Sequence, residues 1–177
     1  MKKLFVGILK IIVFFAAVFL CAGLITRYVG HRVVVDGQSM ESTLFDGDSL
    51  LMDKLSYTFG EPKRFDIVVF NYDEGAKVYY IKRVIGLPGE TVYIDENGII
   101  YIDGEFLPES YGREVIKNPG RAGEIITLGP EEYFCLGDNR NNSSDSRMED
   151  VGNIKRADIR GKAWFRLFPF ERVGIIR

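Results

Sequence analysis

From residue 32 onward the chain is a succession of short runs rich in Val, Ile, Tyr and Phe, broken by Gly, Pro, Asn and Asp. Such runs at such spacing predict strands joined by turns. Extended structure is expected over 33–35, 49–52, 66–70, 78–85, 91–94, 99–102, 125–128, 133–136 and 163–167. Asn97-Gly98 falls between two of these runs as a hairpin turn, since both residues tolerate positive φ. Only 154–159 has the spacing of a helical turn. Residues 4–25 differ: apolar apart from Lys10, they can cross a bilayer as one helix. The pattern predicts a mostly β domain behind a single N-terminal transmembrane helix. Its expected divisions are a tail at 1–3, an anchor at 4–26 and an extracytoplasmic domain at 33–177. Within that domain, 86–132 carries the hairpin and several prolines, and reads as a small inserted β cap.

A cleavable signal peptide is the competing reading of the apolar run, but no small-x-small pair stands between it and Arg27. Lys2, Lys3 and Lys10 on one side against Arg27 and Arg32 on the other put the N-terminus in the cytoplasm. The whole chain carries a net charge of −2, yet residues 33–177 hold 18 basic and 25 acidic side chains. So acidic a balance argues against a nucleic-acid surface. Cys21 lies in the anchor and Cys135 in a predicted strand, too far apart in kind of surroundings to pair, so no disulfide is expected.

Candidate chemistry begins at Ser39. Gly37 can take backbone angles that other residues avoid, which sets Ser39 in a tight turn. Most Gly-x-Ser turns are turns and nothing more, and a nucleophilic serine needs a base. The single histidine, His31, lies eight positions upstream, roughly 26 Å away if the intervening run is extended. Lys82 remains. On the strand 78–85, Val78, Tyr80, Lys82 and Val84 share one face, while Tyr79, Ile81, Arg83 and Ile85 share the other. Both faces are largely apolar, which disfavours an ammonium and frees the amine as a base. Arg83 cannot take that role, because guanidinium keeps its proton. The competing reading is a structural lysine whose stem packs while its amine reaches water.

The loop 137–147 is rich in Asn, Asp and Ser. As a calcium loop it fails, since Arg140 would occupy a ligand position and Ser143 the place of the central Gly. No metal-ligand or phosphate-loop motif occurs, so no metal and no cofactor are expected. Taken in order, Gly37, Ser39, Met40, Thr43 and Leu44, then Gly47-Asp48, then Tyr80-Ile81-Lys82-Arg83-Val84-Ile85-Gly86-Leu87-Pro88-Gly89, then Gly137-Asp138-Asn139-Arg140 through Ser143, Asp145 and Arg147 resemble type I signal peptidase of bacteria. The Lys-Arg-x-x-Gly-Leu-Pro-Gly and Gly-Asp-Asn-Arg blocks are the specific ones.

That resemblance implies a membrane-anchored serine endopeptidase with a Ser/Lys dyad. Ser39 would be the nucleophile and Lys82 the general base, with Ser143 holding the amine. Asp145 with Arg147, and Asp138 with Arg83, would be supporting pairs. The implied partners are membrane lipid and exported preproteins with small side chains at the first and third positions before the cut. Val35, Leu44, Tyr80 and Ile81 are the expected walls of the shallow pockets. Two departures stand out. Ser42 replaces a proline common in the family, and Gly37 replaces a serine that in some members assists the oxyanion. The run 163–170 is aromatic, suited to core packing or to a membrane interface. A tethered β binding module and a self-cleaving regulator are the competing classes. The first would not need Lys82 beside Ser39, and the second would need a DNA-binding domain where the apolar helix stands.

Overall fold

The computed structural model describes residues 2–28, 30–73 and 78–176. Met1 and Arg177, the outer limits of the expected tail and domain, lie outside the described residues. The first element is α1 (Lys2–Tyr28), 27 residues and about 40 Å long. Its segment Val6–Gly23 is apolar, unburied and long enough to cross a membrane, the one such helix among the described residues.

Twelve strands follow in chain order: β1 (His31–Val34), β2 (Ser49–Asp53), β3 (Ile67–Asp73), β4 (Val78–Gly86), β5 (Thr91–Ile94), β6 (Ile100–Ile102), β7 (Glu105–Phe106), β8 (Ile126–Thr127), β9 (Glu132–Leu136), β10 (Ile154–Lys155), β11 (Ile159–Phe168) and β12 (Gly174–Ile175). A four-residue helix, α2 (Ser56–Phe59), stands between β2 and β3. The architecture is mostly β. One sheet runs β1-β2-β11-β3-β4-β9-β10, with β12 beside β11, and a second runs β7-β6-β5-β8. The Asn97-Gly98 hairpin joins β5 to β6 with Gly98 at φ +76°. Asp103 and Gly104, both at positive φ, turn β6 into the short β7, which the pattern of apolar residues had not marked.

Two expectations change. The helical turn expected over 154–159 narrows to a 3-10 turn at Arg156–Asp158, with β10 before it and the first residue of β11 after it. Ile154 pairs with Tyr133 and Ile159 with Phe70, so sheet bonds win over the weak local period. The last strand is also longer than 163–167, running Ile159–Phe168. Gly161 hides its start from a propensity reading. Any Cβ there would stand 2.6 Å from the Asp53 carbonyl oxygen and 2.7 Å from Met52 Cγ, so close packing on β2 demands glycine. Of the C-terminal aromatics, Trp164 and Phe165 are half-buried, while Phe168 and Phe170 are exposed.

Three clusters of buried side chains hold the sheets. One gathers Val35, Met40, Leu44, Leu50, Met52, Ile67, Val69 and Ala163. A second packs β4 and β9 against the smaller sheet through Ile85, Val92, Ile100, Phe134 and Leu136. The third joins Val68, Phe70, Val84, Tyr133, Cys135 and Ile159. Met40 and Leu44, 1% and 0% exposed, carry the turn of Ser39 into the first cluster. Each is worth about 1.5–3 kcal/mol of burial, so the turn is pinned from beneath.

Candidate active site

Ser39 lies in a turn closed by three backbone bonds, Glu41 N–H to Gln38 O, Thr43 N–H to Met40 O and Leu44 N–H to Met40 O. Gly37 enters it at φ +98°, its N–H held by Asp46 Oδ1 at 2.8 Å. Ser42 sits at φ +106°, a region that proline cannot reach and serine seldom visits. The departure from the family proline therefore has a backbone counterpart.

Lys82 comes from β4, opposite Val68 of β3, and is 4% exposed. Its Nζ lies 2.8 Å from Ser39 Oγ, donates to Ile81 O at 3.1 Å and stands 4.8 Å from the centre of the Tyr80 ring. Burial lowers the amine to about 8, against a smaller upward pull from Asp145, Cys135 and Asp138. A neutral amine near physiological pH is thus accessible, with its lone pair facing the serine hydroxyl.

The same burial makes Lys82 a load on folding, on the order of 3 kcal/mol when charged. Because the folded chain releases this proton at lower pH than the unfolded one, the penalty is full below about pH 8 and fades as pH rises toward the ordinary lysine value. Lys82→Met keeps the length without the charge. We expect it to be more stable than the parent at pH 6–7, with the gain shrinking near pH 10. Thermal melts across that range test this, and a less stable variant at pH 6 would mean a well-paired ammonium.

The loop 137–147 brings the third part of the site. Asn139 N–H donates to Ser39 O, and Asn139 Nδ2 to Gln38 O, both at 3.0 Å. Gly137 is where the two segments touch: a Cβ there would stand 2.4 Å from Ser39 O and 2.2 Å from Ser143 Oγ. Asp138 takes two bonds from Arg83, Nε to Oδ1 at 2.9 Å and Nη2 to Oδ2 at 2.7 Å, with all four atoms buried. Thr43 Oγ1 donates to Asp138 Oδ2 at 2.6 Å, tying the nucleophile turn to that pair. Asp145 is held by Arg147 and accepts the Gly137 N–H at 3.0 Å.

Ser143 differs from what the resemblance implies. Its Oγ is buried and makes no hydrogen bond among the described residues, and Ile81 O is the second partner of the Lys82 amine. Leu44 also differs from expectation. It is fully buried in the core beneath the turn and walls no pocket, because the turn's apolar side faces inward. Val35, Tyr80 and Ile81 do line a cleft of about 1020 Å³, together with Ser39, Lys82 and Ser143. Gln38, Asn142 and Ser144 also face it. Among the described residues, no group of three or more His, Cys, Asp or Glu side chains could hold a metal ion.

Sequence reasoning missed Thr43, Asn139 and Gly137 as parts of the site. Their partners lie 95 or more positions away in the first two cases, beyond any local period.

Residues 8–168 match the family described as signal peptidase, peptidase S26. The chain belongs to that family. It is 39% identical over 161 residues to "Signal peptidase I T" of Bacillus subtilis, covering 87% of this chain and 82% of that one. It is 36% identical over 165 residues to "Probable signal peptidase I-2" of Synechocystis, covering 90% and 72%. A crystal structure of a signal peptidase I from Enterococcus faecalis shares 33% identity, with a TM-score of 0.47 over 58% of this chain and 96% of that one. Membership in the S26 peptidases makes the protein a serine peptidase.

Proposed function

We propose that this S26 peptidase is anchored in the membrane by α1 and removes signal peptides from exported preproteins with Ser39 as nucleophile and Lys82 as general base. The observation that carries this reading is the 2.8 Å approach of a buried lysine amine to the serine hydroxyl at the floor of an open cleft. Neutral Lys82 accepts the Ser39 proton as Oγ attacks the scissile carbonyl. It then returns the proton to the leaving amine and activates the water that releases the acyl-enzyme. The Ser39 N–H, which has no acceptor among the described residues, faces the developing oxyanion as one donor. Ser143, with its hydroxyl unspent, completes the hydrogen bonding of the amine as it gives up charge. The pairs Arg83–Asp138 and Arg147–Asp145 fix the strand and the loop on either side.

The cleft favours an extended peptide. Residues 78–82 of β4 pair with β3 on one side, while β9 joins β4 only from Arg83 onward. β1 likewise pairs on one edge alone among the described strands. A peptide laid between two such edges finds backbone donors and acceptors on both sides, so side chains matter only where the walls are close. Val35, Tyr80 and Ile81 leave shallow space, which suits small residues at the first and third positions before the cut. Residues 1–3 lie in the cytoplasm and 33–177 across the membrane, with 86–132 as a cap.

Purified full-length protein should cut a model preprotein at one site, read by N-terminal sequencing of the product. With matched peptides, alanine before the cut should be accepted and phenylalanine refused, through overpacking. Comparable cleavage of the two peptides would overturn the pocket assignment.

A further inference from the structure

The second sheet sends one segment back to the nucleophile. Between β7 and the 3-10 turn at Gly120–Gly123 the chain runs beside the nucleophile turn as a strap whose middle is Glu109, Tyr111, Gly112 and Arg113. Glu109 stiffens the strap: its Oε2 accepts the N–H groups of Tyr111 and Gly112, and its Oε1 pairs with Arg140 Nη1 at 2.7 Å. Arg140 Nε in turn donates to Gly137 O. Gly112 permits this closeness, since a Cβ there would meet the Arg140 guanidinium at 3.2 Å.

From this base the strap grips both halves of the site. Arg113 N–H donates to Asp138 O at 2.8 Å, and its guanidinium pairs with Glu41 at 2.6 Å. Tyr111 O accepts the Ser42 hydroxyl at 3.1 Å. The Tyr111 ring lies 3.7 Å from the Arg83 guanidinium carbon and against Phe65. Glu41 and Ser42 are two and three residues past the nucleophile, and Arg83 follows the base directly. One short segment thus touches the chain next to Ser39 and next to Lys82.

We propose that this strap positions the nucleophile turn against the base, with Tyr111 as the principal positioning residue and the Ser42 hydroxyl as its tie to the turn. The proposal rests on Ser39 and Lys82 being the reacting pair. In the parent chain the Tyr111 ring covers the one guanidinium that holds Asp138, and Asp138 holds Thr43 of the turn. The tie to Tyr111 O holds Ser42 at φ +106° against its own preference. Without the tie to the strap the turn is free to shift, and Ser39 Oγ swings from the amine. A displacement of about 1 Å is enough to cost on the order of a hundredfold in rate.

Ser42→Gly and Tyr111→Leu test this in the full-length protein, with active sites counted by a serine-directed acylating inhibitor and kcat expressed per labelled site. Glycine accepts φ +106° without strain, so Ser42→Gly should melt at or above the parent temperature. Its kcat should nevertheless fall severalfold with KM little changed. Tyr111→Leu should lower kcat per site by about ten- to a hundredfold, and Tyr111→Phe, which keeps the ring, should restore it. Parent-like kcat per labelled site in Ser42→Gly would overturn the proposal, even if Tyr111→Leu fails to fold. A parent enzyme whose labelling survives Ser39→Ala would instead sink the dyad reading beneath it.

Discussion

Ser39→Ala and Lys82→Arg are each expected to bring cleavage of a model preprotein to background while both proteins stay folded. The first removes the proposed nucleophile, the Oγ that lies 2.8 Å from the lysine amine. The second keeps a positive charge and adds bulk, but guanidinium does not give up its proton at any working pH. Loss of either partner of a nucleophile–base pair costs about 10⁴-fold or more in kcat. The parent carries the complementary sign in its pH profile. Since burial holds Lys82 at about 8, the neutral base gains ground as pH rises through that value, and kcat/KM rises with it. Lys82→Arg, with nothing to titrate there, shows no such limb. Near-normal cleavage by Lys82→Arg, or a profile that falls between pH 7 and 8, would remove Lys82 from the mechanism.

Gly137→Ala is expected to damage both stability and rate without touching a reacting atom. The added methyl would stand 2.4 Å from the Ser39 carbonyl oxygen and 2.2 Å from Ser143 Oγ, both inside any real carbon contact. Ser143 can turn away; the Ser39 carbonyl cannot, because Asn139 N–H is bonded to it and Met40 and Leu44 root the turn in the core. The loop must therefore back off, opening the distance between turn and base. Overpacking of this kind destabilises by about 1–3 kcal/mol, and the loss of alignment adds about a hundredfold or more in kcat. Melting curves and kcat per labelled site separate the two effects. An alanine variant with parent kcat would mean that the loop retreats without moving Ser39.

Much of this was open to reading from the chain. Alternation and turn residues mark β5 and β6 with their hairpin, and the two apolar faces of 78–85 point to a buried Lys82. Arg83 and Asp138 meet as the resemblance implied. What escaped is long-range or hides behind glycine. Gly161 and Gly137 look like interruptions until the Asp53 and Ser39 carbonyls are seen beside them. Leu44 is expected as a pocket wall, whereas the turn faces it into the core. Tyr111 gave no signal at all: its partner Arg83 lies on another sheet, and aromatic residues in loops are common.

The order of the main sheet bears on when the enzyme becomes active as it is made. β2, next to the strand that leads into Ser39, and β3, next to the strand that carries Lys82, do not pair with each other; β11 lies hydrogen-bonded between them. Until residues 159–168 have emerged and inserted, serine and lysine belong to two separate hairpins with no shared sheet. In a growing chain Ser39 and Lys82 are therefore joined through one continuous sheet only once residues 159–168 have been added between β2 and β3.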